Sequence, residues 1–182
     1  MKKLLVLLSI LLVTVGLTAC SSTPAVEETE EPTGYEIALV TDIGTIDDKS
    51  FNQGAWEGVV QYADENGLTY QYYKPAEATT VAYVAAITEA VDAGAKAVVT
   101  PGYMFAPAVY EAQTMYPDVS FILLDADPHT EDYATFAIEN NVYAVYYAEE
   151  QSGFLAGYAA VKEGYTSLGF MGGMAVPAVV RF

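Results

Sequence analysis

Glu36-Ile-Ala-Leu-Val-Thr-Asp-Ile-Gly-Thr-Ile-Asp-Asp-Lys-Ser-Phe-Asn-Gln53 decides the fold of this 182-residue chain. Its first six residues form a short apolar run that reads as a buried strand. A polar loop follows from Asp42, and Phe51 then opens a helix predicted to reach Asn66. Ser50 and Gln53 have capping-box spacing at its start, and Gly67 is the terminator at its end. A strand running through a polar loop into a helix is the first half of a βαβ unit. The same alternation continues downstream. Leu68–Tyr73 reads as a strand, Val81–Ala93 as a helix stopped by Gly94, and Ala95–Thr100 as a third strand. Phe105–Tyr116 reads as a helix ended by Pro117, Val119–Leu124 as a fourth strand and Thr135–Ile138 as a fifth. Short apolar strands alternating with helices imply right-handed crossovers and an α/β fold, a doubly wound parallel sheet covered on both faces.

Beyond that sheet the pattern starts afresh. Tyr143–Glu163 is predicted as one helix rich in Gly and Ala, Ser167–Met171 as another strand, and Ala178 as the start of a further helix. Residues 35–140 therefore read as one lobe, and residues 141–182 as a crossover and the opening of a second.

Upstream, Met1-Lys2-Lys3 is a positive region and Leu4–Leu17 an apolar run broken by Ser9, Thr14 and Gly16. Small residues then lead to Cys20, the single cysteine. This is the layout of a secretory signal, residues 1–19, and too short for a stable transmembrane helix. Leu17-Thr-Ala-Cys20 resembles the bacterial lipobox, which implies cleavage before Cys20 and lipid on it. Residues 20–34, with four glutamates up to Glu31, read as an acidic disordered linker. The expected location is the extracytoplasmic face of the cell membrane, lipid-anchored. The formal net charge of -17 makes nucleic acid an unfavourable partner. Hydrophobic residues make up 53%, enough for a real core.

In open parallel sheets ligands bind beyond the carboxyl ends of the strands. Asp42 follows the first strand and Asp125 the fourth, while Phe51 and Asn52 stand in the first turn of the first helix. Two carboxylates, an aromatic face and an amide at one edge suit hydroxyl donors joined to a flat heterocycle. Taken singly, each has a plain structural reading: Asp42 caps a turn and Phe51 staples the helix. Asp47, Asp48 and Lys49 read as a solvated turn, since calcium-loop spacing is lacking; no metal and no cofactor are expected. A rival reading is catalytic. Phe121-Ile-Leu-Leu-Asp125-Ala-Asp127 matches the opening motif of haloacid-dehalogenase-like phosphatases, though Pro128 and His129 follow where that motif continues differently. His129, the only histidine, reads as an exposed loop residue, and no Gly-x-Ser-x-Gly elbow is present.

Ala38-Leu-Val-Thr-Asp42, Ile46-Asp-Asp-Lys-Ser-Phe-Asn-Gln53, Glu150-Gln-Ser-Gly-Phe-Leu-Ala-Gly157 and Gly169-Phe-Met-Gly-Gly173 together resemble the BMP (basic membrane protein) family. These are substrate-binding lipoproteins of ABC importers. The resemblance covers the chain from about Tyr35 onward. It implies a periplasmic-binding-protein type I fold, a purine nucleoside as ligand, permease subunits as partners and no catalysis. Residue by residue, it implies that Asp42 is the family's ligand-site aspartate after the first strand, that Phe51 stacks on the base, that Asn52 is the amide at the base edge, and that Asp125 holds ribose hydroxyls. A receptor for another solute, such as a sugar or an autoinducer, is the near alternative.

Overall fold

The computed structural model describes residues 34–182. The signal, Cys20 and almost all of the acidic linker lie outside the described residues. Among the described residues no helix is long and apolar enough to cross a membrane.

Five strands form one parallel sheet: β1 (Ile37–Val40), β2 (Tyr70–Tyr73), β3 (Ala97–Pro101), β4 (Ser120–Leu124) and β5 (Val142–Val145), in the order β2-β1-β3-β4-β5. Helices α1 (Phe51–Asn66), α2 (Thr80–Asp92) and α3 (Ala106–Met115) make the crossovers, with a 3-10 turn at Tyr103–Phe105 leading into α3. The chain leaves β1 toward β2 in one direction and continues from β3 in the other. The switch point, where such sheets open a crevice, lies between β1 and β3.

Alternation along each strand divides the core in two. Ala38, Val40, Val98, Phe121 and Leu123 point to the face covered by α2 and α3, against Tyr83, Ile87, Phe105 and Val109. Ile37 and Leu39 point the other way, onto Val59 and Ala63 of α1, with Trp56 and Tyr70 beside them. The indole of Trp56 meets Tyr70 and Tyr72 edge-on at 5.5 and 5.4 Å. Helix ends follow the local chemistry. Gly67 takes φ 65 at the end of α1, and the Thr79 hydroxyl accepts the Ala82 N–H at 3.2 Å to cap α2.

The fifth strand is not where the sequence pattern put it. Thr135–Ile138 only folds back on the preceding loop, through one antiparallel bridge between His129 and Phe136. The strand is Val142–Val145, so the helix predicted from Tyr143 begins instead at Glu149, as α4 (Glu149–Lys162). The cause is tertiary. The Asn141 side chain donates to the carbonyls of Gln113, Tyr116 and Val119 at 3.2, 3.1 and 2.9 Å. That clamp ties the end of α3 to the start of β4 and sets Val142 beside Phe121. Ser167–Met171, predicted as a strand, is irregular and exposed. A strand needs a partner edge, and none lies alongside this segment. A five-residue helix, α5 (Pro177–Arg181), follows.

Candidate functional site

Asp42 leaves β1 and enters a closed hydrogen-bond ring. Its Oδ1 accepts the Gly44 N–H at 2.6 Å and the Asn52 Nδ2 at 2.7 Å, while its own N–H donates to Asn52 Oδ1 at 3.1 Å. Asn52, 1% exposed, also donates from Nδ2 to Asp48 Oδ2 at 2.9 Å. The amide therefore locks the β1–α1 loop onto the first turn of the helix. Gly44 is required here: a Cβ on it would sit 2.7 Å from Asn52 Nδ2 and 2.8 Å from Asp42 Oδ1.

The helix cap differs from the expected capping box. Asp48 Oδ1 accepts the N–H groups of Ser50 at 2.8 Å and Gln53 at 3.1 Å, and the Ser50 side chain caps nothing. Gln53 does reach back, its Oε1 accepting the Lys49 N–H at 3.0 Å. A carboxylate is a stronger acceptor than a hydroxyl and is favoured at a helix N-terminus. Lys49, at φ 55, makes the turn that brings Asp48 into place. Asp47, Asp48 and Lys49 do form an exposed turn, and within it Asp48 is also the structural cap.

Asp125 is held differently. Its N–H donates to the Val145 carbonyl at 2.7 Å, and its backbone takes φ 71, a left-handed conformation that Asp tolerates better than most residues. Burial pushes its carboxyl above the usual aspartate range, and the Glu149 carboxyl beside it pushes further in the same direction. Arg181 opposes this weakly. Burial, and then the charge of the nearby Asp127, raise the Tyr146 phenol.

Phe51, 44% exposed at the N-terminus of α1, lies against Tyr147 with ring centroids 5.8 Å apart and planes 24° from parallel. Burial, then the charge of Asp125, raises the Tyr147 phenol. Phe51, Tyr147 and Asp125 therefore form a continuous line across the sheet edge. The Asp42–Asn52 ring adjoins Phe51, since Asn52 follows it directly in α1. Tyr83 reaches the same edge from α2: it is fully buried, its hydroxyl has no hydrogen-bond partner among the described residues, and its phenol is raised first by burial and then by Asp42. A cavity of about 200 Å³ adjoins Asp125, lined also by Tyr103, His129, Tyr133 and Tyr146.

His129 belongs to that wall and is not an exposed loop residue. It is 6% exposed, stacks on Tyr133 at 4.1 Å and bonds the Thr130 carbonyl at 2.8 Å through Nδ1. The bridge to Phe136 folds the loop over it. Sequence reasoning also missed Gly44, Tyr147 and Glu149. Tyr147 and Glu149 fell inside the helix predicted over Tyr143–Glu163, about six turns long, which hid the break at residues 146–148.

A β2-β1-β3-β4-β5 parallel sheet with polar and aromatic groups gathered beyond its carboxyl edge defines an α/β lobe of the type I solute-binding class. Residues 36–182 match the family described as "ABC transporter substrate-binding protein PnrA-like", and the chain belongs to this Bmp family. The ABC transporter nucleoside-binding protein BmpA of Lactococcus lactis subsp. cremoris is 31% identical over 82% of this chain and 41% of its own length. Basic membrane protein A of Borreliella burgdorferi is 29% identical over 93% of this chain and 46% of its own. The crystal structure of an ABC transporter solute-binding protein from Aeropyrum pernix K1 superposes with a TM-score of 0.61 at 21% identity, over 81% of this chain and 40% of that one. The chain spans about two-fifths of the length of the curated relatives it matches.

Proposed function

We propose that this chain supplies the first lobe of a receptor that captures a nucleoside, a purine in preference, and hands it to an ABC permease without making or breaking a bond. The observation that carries the reading is the line Phe51–Tyr147–Asp125 at the sheet edge. It sets an aromatic face for a base beside a carboxylate for hydroxyl donors, and the Asp42–Asn52 ring lies next to it. The relative whose name specifies nucleoside binding supports the same choice. In this reading residues 35–140 form the first lobe, and residues 141–182 cross toward a second lobe that closes over the ligand. Cys20, lipidated, holds the receptor on the extracytoplasmic face of the membrane, and residues 20–34 act as the tether.

The test is calorimetric titration of the full-length protein with adenosine, guanosine and inosine, with ribose and a furanosyl autoinducer as the competing class. Saturable binding of a purine nucleoside at a 1:1 ratio is the expected result. Binding of the sugar alone would replace the nucleoside with a different solute and leave the receptor class intact. Phosphatase turnover with magnesium, lost in Asp125→Asn, would overturn the receptor reading itself.

A further inference from the structure

Tyr83 stands on the buried face of α2, followed at helical spacing by Ala86, Ile87 and Ala90. Its ring is 2% exposed and packs on Phe105, with centroids 4.4 Å apart and planes 40° from parallel. Phenylalanine would fill that place as well and at lower cost. The Tyr83 hydroxyl is buried without a hydrogen-bond partner among the described residues, so its O–H has left water and gained nothing. Burial, then the charges of Asp42 and Tyr103, keep the phenol protonated and therefore a donor. The same side chain lines a cavity of about 380 Å³ walled by Tyr103, Met104, Pro107, His129 and Tyr133. Gly102, at φ 114, opens the turn that sets Tyr103 on this wall and Phe105 in the core. His129 is fixed there by its Nδ1–H on the Thr130 carbonyl and by its stacking on Tyr133.

Asp42, Phe51, Asn52 and Asp125 take no part in this lining. Yet Tyr103, His129 and Tyr133 also line the cavity that adjoins Asp125, so the two lie side by side along three rings. Tyr133 is 62% exposed, which makes the shared wall a rim and not a closed partition. Among the described residues Glu131 is the one acidic group in the lining and no basic group joins it, so an anionic group is disfavoured. Aromatic walls with a single directed donor suit a flat, uncharged group that carries an acceptor. We infer that the cavity at Tyr83 is an extension of the ligand cleft, which takes an uncharged aromatic substituent on the sugar end of the nucleoside and holds it by a hydrogen bond from the Tyr83 hydroxyl. The substituent stacks on the ring wall, and the buried O–H obtains the acceptor that the ligand-free fold withholds. The inference rests on the nucleoside reading, with Asp125 at the sugar, and adds to it a class of ligand larger than the plain nucleoside.

The experiment titrates adenosine, 5′-O-benzoyladenosine and 5′-O-benzyladenosine, which lacks the carbonyl, into the full-length wild type, Tyr83→Phe and Met104→Trp. The wild type is expected to bind the benzoyl compound at least as tightly as adenosine. Tyr83→Phe should weaken the benzoyl compound by about two- to tenfold, the worth of one neutral hydrogen bond, and leave the other two unchanged. Its thermal midpoint without ligand should hold or rise, because an unpaired buried hydroxyl has been removed. Met104→Trp, which narrows the cavity, should weaken both substituted compounds and spare adenosine. A wild type that binds adenosine but takes the benzoyl compound more weakly would overturn the inference alone. So would a Tyr83→Phe protein that weakens all three ligands equally or none of them, since the hydroxyl would then be a structural group. A wild type that binds none of the three would overturn the nucleoside reading and this inference together.

Discussion

Asp42 and Asp125 each follow a strand at the same edge of the sheet, yet their surroundings are opposite. Asp42 is closed in by the Gly44 N–H and the Asn52 amide, and its own N–H is taken by Asn52. Asp125 has a left-handed backbone, a raised carboxyl and a second carboxylate for a neighbour. A satisfied ring is complete before any ligand arrives and fixes the loop that carries Phe51. Asp125 has no such ring of backbone and amide donors around it among the described residues. On the proposed reading the difference separates scaffold from receptor, and it can be broken by mutation.

The largest effect is expected at the scaffold. Asn52→Ala leaves the Asp42 N–H unpaired and sets the Asp42 and Asp48 carboxylates near each other without their common donor. Each buried group left unsatisfied costs about 1–3 kcal/mol, so a loss of roughly 3 kcal/mol in folding free energy is expected by urea denaturation. A loss confined to ligand affinity, with stability unchanged, would mean that Asn52 belongs to the receptor side of the comparison.

Asp125 should behave inversely. Asp125→Ala removes a repelled carboxylate but sets alanine at φ 71, which Asp tolerates better, so the two effects oppose and the ligand-free stability should change little. Nucleoside affinity should fall by roughly 1.5–3 kcal/mol, the usual worth of a hydrogen bond to a charged group, or about one to two decades. Wild-type affinity in a folded Asp125→Ala protein would move the ribose carboxylate elsewhere. Phe51→Ala should cost about 1–3 kcal/mol of stacking with little change in stability, since the ring is 44% exposed. Ligand absorbance quenching and thermal melting read the two effects separately.

The sequence carried the scaffold further than the receptor. Strands β1 to β4 were legible because a buried parallel strand is a short apolar run between turn residues, and Gly67, Gly94 and Pro117 mark the ends. Asp42, Phe51 and Asp125 were legible as positions, because strand ends and helix starts in such a sheet face the crevice. Their bonding was not. Whether Asp48 or Ser50 caps α1 depends on the φ of Lys49, which a residue string does not specify. The strand at Val142–Val145 depends on the Asn141 clamp reaching α3, a contact between residues 22 to 28 positions apart. With that strand absorbed into a helix, Tyr147 and Glu149 had no reason to face the site. The buried state of His129 likewise follows from a fold-back that only the tertiary structure supplies.

The smallest effect tests the scaffold by pH. Burial pushes the Asp48 carboxyl up, but the N–H groups of Gln53 and Ser50, with the Asn52 side chain, pull it lower still, so its net value lies below the usual aspartate range. A carboxyl lowered in the folded state contributes stability that is complete above its unfolded value of about 3.9 and is lost as pH falls through the folded value. Asp48→Asn keeps an acceptor oxygen at the cap, and Asn caps a helix about as well as Asp. Near neutral pH the two proteins should therefore differ by the loss of charge at the helix N-terminus, a term that salt weakens, and by the loss of the Asn52 Nδ2 bond to Asp48 Oδ2, which an amide NH2 cannot accept. Between about pH 5 and about pH 2 the wild type should lose this advantage and the two melting curves should converge. Glu36, lowered by its bond to Lys96, contributes equally to both proteins and cancels in the comparison. A gap in thermal midpoint that stays constant down to acid pH would show that Asp48 acts as a neutral acceptor, and that the ring around Asp42 owes nothing to its charge.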